Sequence, residues 1–124
     1  MDWEVEFTDE FEEWWDGLTP AQQEALNQRV QLLAASGPNL KRPTVGAIKG
    51  SQHDPQMKEL ICDAEGAAMR VLFVFDPRRT AILLIGGDKS GEWDRWYKRL
   101  VPEADKLYDH HLEELRKEGV IKDG

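Results

Sequence analysis

The sequence predicts an α+β fold, a small and mostly antiparallel sheet covered by helices in the order β-α-α-β-β-β-α. Three observations carry this. Two five-residue apolar runs, 71–75 and 81–85, lie either side of a short turn and suit central strands covered on both faces. Thr19-Pro20-Ala21-Gln22 is a strong helix start. In the last third, apolar residues recur at three- and four-residue steps, the period of an amphipathic helix. The 124 residues are the length of one domain, so 1–124 is expected to fold as a unit.

The elements follow in order. Trp3-Glu4-Val5-Glu6-Phe7 alternates apolar and acidic residues, as a half-buried strand does. Thr8 or Asp9 caps a short helix over 9–16, and Gly17 closes it. The next helix has Thr19 as cap, Pro20 in its first turn and Gln22 completing a capping box; it runs to about Ser36, where Gly37-Pro38 stops it. Residues 38–56, with Pro38, Pro43, Gly46, Gly50 and Pro55, read as a long loop of the kind that carries function. Strands are expected at 57–63, 67–76 and 80–86, joined by turns at Ala64-Glu65-Gly66 and Pro77-Arg78-Arg79. The final helix stripe runs from Trp93 to Leu115 and keeps phase across Pro102, which predicts a long helix kinked or restarted there.

Charge is the unusual part of the composition. Sixteen Lys and Arg face 24 Asp and Glu, a net of −8, which argues against a protein that coats nucleic acid through a broad basic face. The deficit is uneven. Residues 1–36 hold nine acids against Arg29 alone, whereas residues 37–90 hold six acids and eight bases. Two solvated helix faces account for the acidic segment, or else the molecule is bipolar, with an anion-binding centre inside an acidic layer. The single cysteine, Cys62, forms no internal disulfide and reads as a core residue. The first twenty residues contain no Lys or Arg, so no secretory signal is expected, and no apolar run is long enough to span a bilayer. A cytoplasmic protein is the expectation.

Arg70 is the most informative residue, because it interrupts the apolar strand Ala67-Ala68-Met69-Arg70-Val71-Leu72-Phe73. An arginine stays charged and is costly to bury alone. Either it pairs with an acid such as Glu59 on the neighbouring strand, or it opens onto a pocket as a fork for phosphate or carboxylate. Lys89 follows the last strand in Gly86-Gly87-Asp88-Lys89, a plain turn or one whose backbone amides meet an anion. Arg78 and Arg79 occupy a hairpin tip. His110 and His111 are adjacent on a helix and point about 100° apart, so no metal site is expected. His53-Asp54 offers acid–base chemistry or is a solvated loop pair. Trp14 and Trp15 cannot both face inward on one helix, which leaves one of them for a partner surface.

Four stretches in this order resemble a known family: Val5-Glu6-Phe7-Thr8-Asp9-Glu10-Phe11; Lys49-Gly50 followed by Met57-Lys58-Glu59-Leu60; Met69-Arg70-Val71-Leu72-Phe73; and Leu83-Leu84-Ile85-Gly86-Gly87-Asp88-Lys89. Together with the element order they resemble the RelE/ParE superfamily of bacterial toxins, in its HigB-like, phage Gp49-like branch, over residues 3–115. The resemblance implies a RelE-like fold and the toxin of a type II toxin–antitoxin module, a ribosome-dependent mRNA endoribonuclease without cofactor. It makes Arg70 the phosphate-stabilising arginine and Lys89 a second catalytic cation. Lys49, Lys58, Arg78 and Arg79 become candidate RNA contacts. The implied partners are the ribosome, mRNA and a helix-turn-helix antitoxin, with no membrane. The antitoxin is expected to place acids over the basic centre and to use Trp14 or Trp15. Two alternatives stay open, a ParE-like toxin acting on a protein through its last helix, and a member that only binds its antitoxin. The sequence departs from the family pattern at Ile61, where an arginine stands, and at Met69 and Gly87, where aromatics stand; Asp63 and Glu65 lie where RelE carries basic residues.

Overall fold

A computed structural model describes residues 2–122. In chain order the elements are β1 (Val5–Phe7), α1 (Asp9–Asp16), α2 (Pro20–Ser36), a 3-10 turn (Gly37–Asn39), β2 (Val45–Ala47), β3 (Lys58–Ala64), β4 (Ala67–Phe75), β5 (Ala81–Asp88) and α3 (Asp94–Lys117). The α+β class holds. The five strands form one sheet in the order β1-β5-β4-β3-β2. Its joints are antiparallel except the one between the first and last strands, where Val5 pairs with Ala81 in parallel.

The caps form as their residue types require. Thr8 Oγ1 accepts from Phe11 N at 3.0 Å, and at Thr19 the capping box closes in both directions, at 3.1 and 3.0 Å. Such a cap is worth about 1 kcal/mol. Strand alternation then divides the core. Val71, Phe73 and Leu83 face α1 and α2, meeting Phe11, Leu26 and Leu33. Leu72, Val74, Ile82 and Leu84 face α3, meeting Trp96, Leu100, Val101 and Ala104. The two apolar runs are covered on both faces, and a buried leucine there is worth about 2–5 kcal/mol against alanine.

One irregularity positions everything at the far end of β5. The register slips so that Leu72 pairs with Ile85 but Phe73 with Leu83, leaving Leu84 as an extra residue. The bulge is held by α1's cap residue, whose Thr8 Oγ1 donates to Leu84 O at 2.6 Å. A bulge flips the faces of all later residues. Gly86 therefore turns toward α1 and Gly87 toward α3. A Cβ at Gly86 would sit 2.2 Å from the Trp14 ring, and one at Gly87 2.6 Å from the Trp96 indole. These glycines admit a tryptophan from each side.

Several expectations need correction. Residues 45–47 are an edge strand, not loop; three residues between prolines and glycines show no alternation, and pairing with β3 supplies the order. Gly86 and Gly87 belong to β5, their backbone paired with β4, so no amide-lined turn exists there. Helix α3 passes through Pro102 without restarting. Pro102 deprives only the Lys98 carbonyl of a partner, and both residues lie on the exposed face, where water replaces it. Trp93 is not on the buried stripe; it precedes α3 with φ +47° and is 60% exposed. Trp14 and Trp15 both pack half-buried against the first core layer, so one helix does turn both partly inward. Among the described residues no helix is long and apolar enough to cross a membrane.

Candidate functional site

Arg70 sits on the α3 face of β4, opposite Ile61 of β3 and Gly87 of β5. Glu59 and Asp63 flank Ile61 on the same face of β3, one residue pair either side, because strand side chains repeat every second residue. The arginine thus lies between two acids. Its Nη1 donates to Asp63 Oδ1 at 2.7 Å and to the Met69 carbonyl at 2.8 Å. Its Nε approaches Glu59 Oε1 only to 3.7 Å, and this buried nitrogen makes no hydrogen bond. Burial pushes the guanidinium down, but Asp63 and Glu59 more than offset it, so Arg70 stays charged.

Glu59 is nearly buried and its Oε1 accepts from the Tyr97 hydroxyl at 2.6 Å. The neighbouring edge position is Gly46; a Cβ there would crowd Glu59 Oε2 at 3.3 Å and the Arg42 guanidinium at 3.0 Å. Tyr97 comes from the first turn of α3. Burial, then the Glu59 carboxylate, push its phenol up to about 12, so it remains a proton donor at neutral pH. Lys89 Nζ reaches the Tyr97 oxygen at 3.4 Å and lies over the Trp93 and Tyr97 rings at 5.2 and 5.3 Å. Lys89, Tyr97, Glu59, Arg70 and Asp63 form one continuous polar chain.

Glu59 and Tyr97 also line a cleft of about 700 Å³ between α3 and the segment after β2, with Ile48, Lys49 and Lys98 on its walls. The loop wall is anchored to α3 by buried Asp105, which accepts from Ser51 Oγ at 2.6 Å and Gln52 N at 2.9 Å. Beyond Arg70, the end of β5 is tied to β4 by Asp88, which accepts from Ala68 N and Ser90 N, both at 2.9 Å. Burial opposes its ionisation, yet these bonds and Arg70 hold its carboxyl below the usual range.

The structure therefore brings Arg70, Lys89 and Lys49 to one region and leaves three other candidates outside it. Lys58 is adjacent to Glu59 and points to the opposite face, beside Phe73 and Leu40. Arg78 lies in the β4–β5 hairpin, past Phe75, which is itself five residues or about 17 Å beyond Arg70 along β4. There it is tied to Glu6 at 2.9 Å and Asp76 at 2.7 Å. Arg79 stacks over Trp3 at 4.7 Å. His53 pairs with Asp109 at 2.7 Å, not with Asp54, and His111 donates to Asp76 at 2.8 Å. Cys62 is buried, which raises its thiol above the ordinary value. Among the described residues no cluster suits a metal. From sequence alone Glu59 reads as an ion-pair partner of Arg70, and Tyr97 as one more residue of the stripe between Trp93 and Leu115. A polar residue at the edge of an apolar stripe was the available signal for Tyr97.

Residues 13–109 match the family described as Phage derived protein Gp49-like. Two proteins of Mycobacterium tuberculosis, named as candidate toxins HigB2 and HigB3, are 38% and 41% identical over 100 and 101 residues. The alignments cover 80% of this chain and 49% of HigB2, and 82% of this chain and 86% of HigB3, so the chain spans about half the length of the first relative and most of the second. The free state of an Escherichia coli RelE toxin carrying two arginine-to-alanine substitutions superimposes with a TM-score of 0.60 at 14% identity, over 82% of this chain and 97% of that one. That likeness is one of fold, and the fold is RelE-like.

Proposed function

Because the chain belongs to the phage-derived Gp49-like family, we propose that it is the toxin of a type II toxin–antitoxin module and cuts mRNA on the ribosome. The observation that carries this is the buried Arg70, with one donor unmatched, in line with Glu59, Tyr97 and Lys89 beside an open cleft. RNA cleavage by a neighbouring 2′-hydroxyl needs a base for that hydroxyl, cations for the crowded phosphate and a proton for the departing 5′-oxygen. Glu59 is the base in this reading. Tyr97 orients it through their hydrogen bond. Arg70 stabilises the charge gathering on the phosphate oxygens, and Lys89 protonates the leaving oxygen. The bond formed is 2′-O to phosphorus, the bond broken is phosphorus to 5′-O, and the products are a 2′,3′-cyclic phosphate and a 5′-hydroxyl. No metal or organic cofactor enters these steps.

The cleft is not strongly basic, setting Lys49 and Lys98 against Glu59 and Asp94, which fits a toxin that takes its mRNA already held by the ribosome. Lys49 and Lys98 at its walls are the RNA-backbone contacts in this reading. Lys58, Arg78 and Arg79 are dropped from that role because they lie on another face or at the other end of the sheet. A cognate antitoxin is the expected protein partner, in the cytoplasm. The test incubates purified protein with ribosomes carrying a defined mRNA and maps 5′ ends. Cuts in the decoding site that vanish in Glu59→Gln and Arg70→Lys support the proposal. Intact mRNA together with growth arrest on expression selects a toxin with a protein target, and intact mRNA without arrest selects a chain that only binds an antitoxin.

A further inference from the structure

We propose that Asp63 is an internal competitor for the substrate phosphate, occupying the donor edge of Arg70 until RNA displaces it. This rests on the reading of the cleft as an RNA site. The geometry is specific. Arg70 has its side chain only 9% exposed, whereas Asp63, 2.7 Å from Nη1, is 68% exposed. A carboxylate and a phosphate present the same pair of acceptor oxygens to a guanidinium, so they compete for it. An acid this exposed is held weakly, since solvated ion pairs gain little. Glu59 differs, being nearly buried, pinned by Tyr97 and 3.7 Å from the arginine. Arg70 thus has a fixed hydrogen bond to the Met69 carbonyl, one fixed acid beside it and one loose acid that a ligand can replace. Asp63 keeps the buried cation from standing uncompensated when the cleft is empty, and it lowers affinity for any anion that is not otherwise held in place. An mRNA positioned by the ribosome meets that second condition, and free RNA does not.

The test follows the Arg70 Nε–H resonance by nitrogen-15 NMR in the full chain, wild type against Asp63→Asn and Asp63→Ala. The probes are inorganic phosphate and a 2′-O-methyl oligoribonucleotide that cannot be cut. Both variants are expected to reach half-saturation at about two- to fivefold lower ligand concentration at low salt. The log–log salt slope for the oligonucleotide should steepen by about 0.7, the signature of one added phosphate contact on a single strand. Glu65→Gln makes the same charge change on the adjacent turn without touching Arg70, and should leave that slope unchanged. In an Arg70→Lys background, Asp63→Asn should gain nothing, now read by fluorescence anisotropy of the labelled oligonucleotide. Half-saturation unchanged in both Asp63 variants, a gain equalled by Glu65→Gln, or no response of Arg70 to either probe would overturn the assignment. Absence of mRNA cleavage on ribosomes with the binding gain intact would overturn the nuclease proposal and leave the role of Asp63 standing.

Discussion

The two ends of the sheet each set an arginine against acids, and they are built differently. At the hairpin end the acid is the buried member. Asp76 has no exposed side-chain surface, and it accepts from Arg78 N and Nε, Thr80 N and His111, at 2.9, 2.8, 3.1 and 2.8 Å. Arg78 spends its remaining donors on Glu6 at 2.9 and 3.2 Å. At the cleft end the arginine is buried as well, between buried Glu59 and exposed Asp63, and its Nε makes no hydrogen bond. Both sites are ion-pair networks, and the second differs in having an arginine nitrogen without a hydrogen bond, next to a residue, Glu59, that lines an open cleft. A charge in a sheet is therefore a weak functional signal by itself. In the proposed reading, what separates a structural network from a functional one is whether the donors are used up.

The sharpest way to break this contrast is Arg70→Lys, which keeps the charge and loses the fork. It should cut mRNA cleavage by about 10²–10³-fold, the cost of losing a charge-stabilising donor at a reacting centre, measured on ribosomes carrying a defined mRNA. Full activity in this variant would make Arg70 as structural as Arg78. Next in size is Asp76→Ala, which leaves Arg78, His111 and a buried amide without their acceptor. It should cost about 3 kcal/mol of stability in urea unfolding at pH 7 while the remaining folded protein cleaves normally.

The same acid gives the comparison a pH arm. Burial alone would raise the Asp76 carboxyl, but hydrogen bonds from His111, Arg78 and Thr80 outweigh it and hold it below the usual range. A depressed folded value means that the stabilisation is complete above the unfolded carboxylate pKa of about 3.9 and is lost as pH falls through the folded value. Acid unfolding should be shallower in Asp76→Ala than in the wild type below about pH 4. Equal acid limbs would remove Asp76 as their source.

Tyr97→Phe should be milder, about tenfold in cleavage rate, because it frees Glu59 to swing without removing it. With the phenol pushed up to about 12, neither protein should show a tyrosine limb in the rate profile below pH 10. Smallest of all are Lys58→Ala and Arg79→Ala, expected within about twofold of wild type in cleavage, as for surface residues remote from the chemistry. A larger loss from Lys58→Ala would mean that RNA reaches the other face of β3.

Much of the fold could be read directly. The caps at Thr8 and Thr19, the two buried runs and the stripe from Trp96 to Leu115 follow from local chemistry and periodicity, and they formed as expected. Arg70 and Lys89 stood out because a cation in or just after an apolar strand needs an explanation. Glu59 and Lys58 could not be sorted the same way. They are neighbours in sequence, and which one faces the cleft depends on strand parity set by pairing with β4. Residues 45–47 are too short to announce a strand, and only the edge of β3 gives them one.

The sequence by itself determined the class of the molecule, the acidic N-terminal segment and the buried arginine, because propensity, capping, charge and side-chain period act over a few residues. Tertiary structure alone decided that Leu84 bulges, that Gly86 and Gly87 receive Trp14 and Trp96 from opposite sides, and that Tyr97 arrives from α3 onto Glu59. It also decided that Asp63 rests on Arg70 while Asp76 consumes Arg78. These are pairings between residues distant in the chain or across strands. Their outcome is fixed by register and packing, which no local pattern encodes.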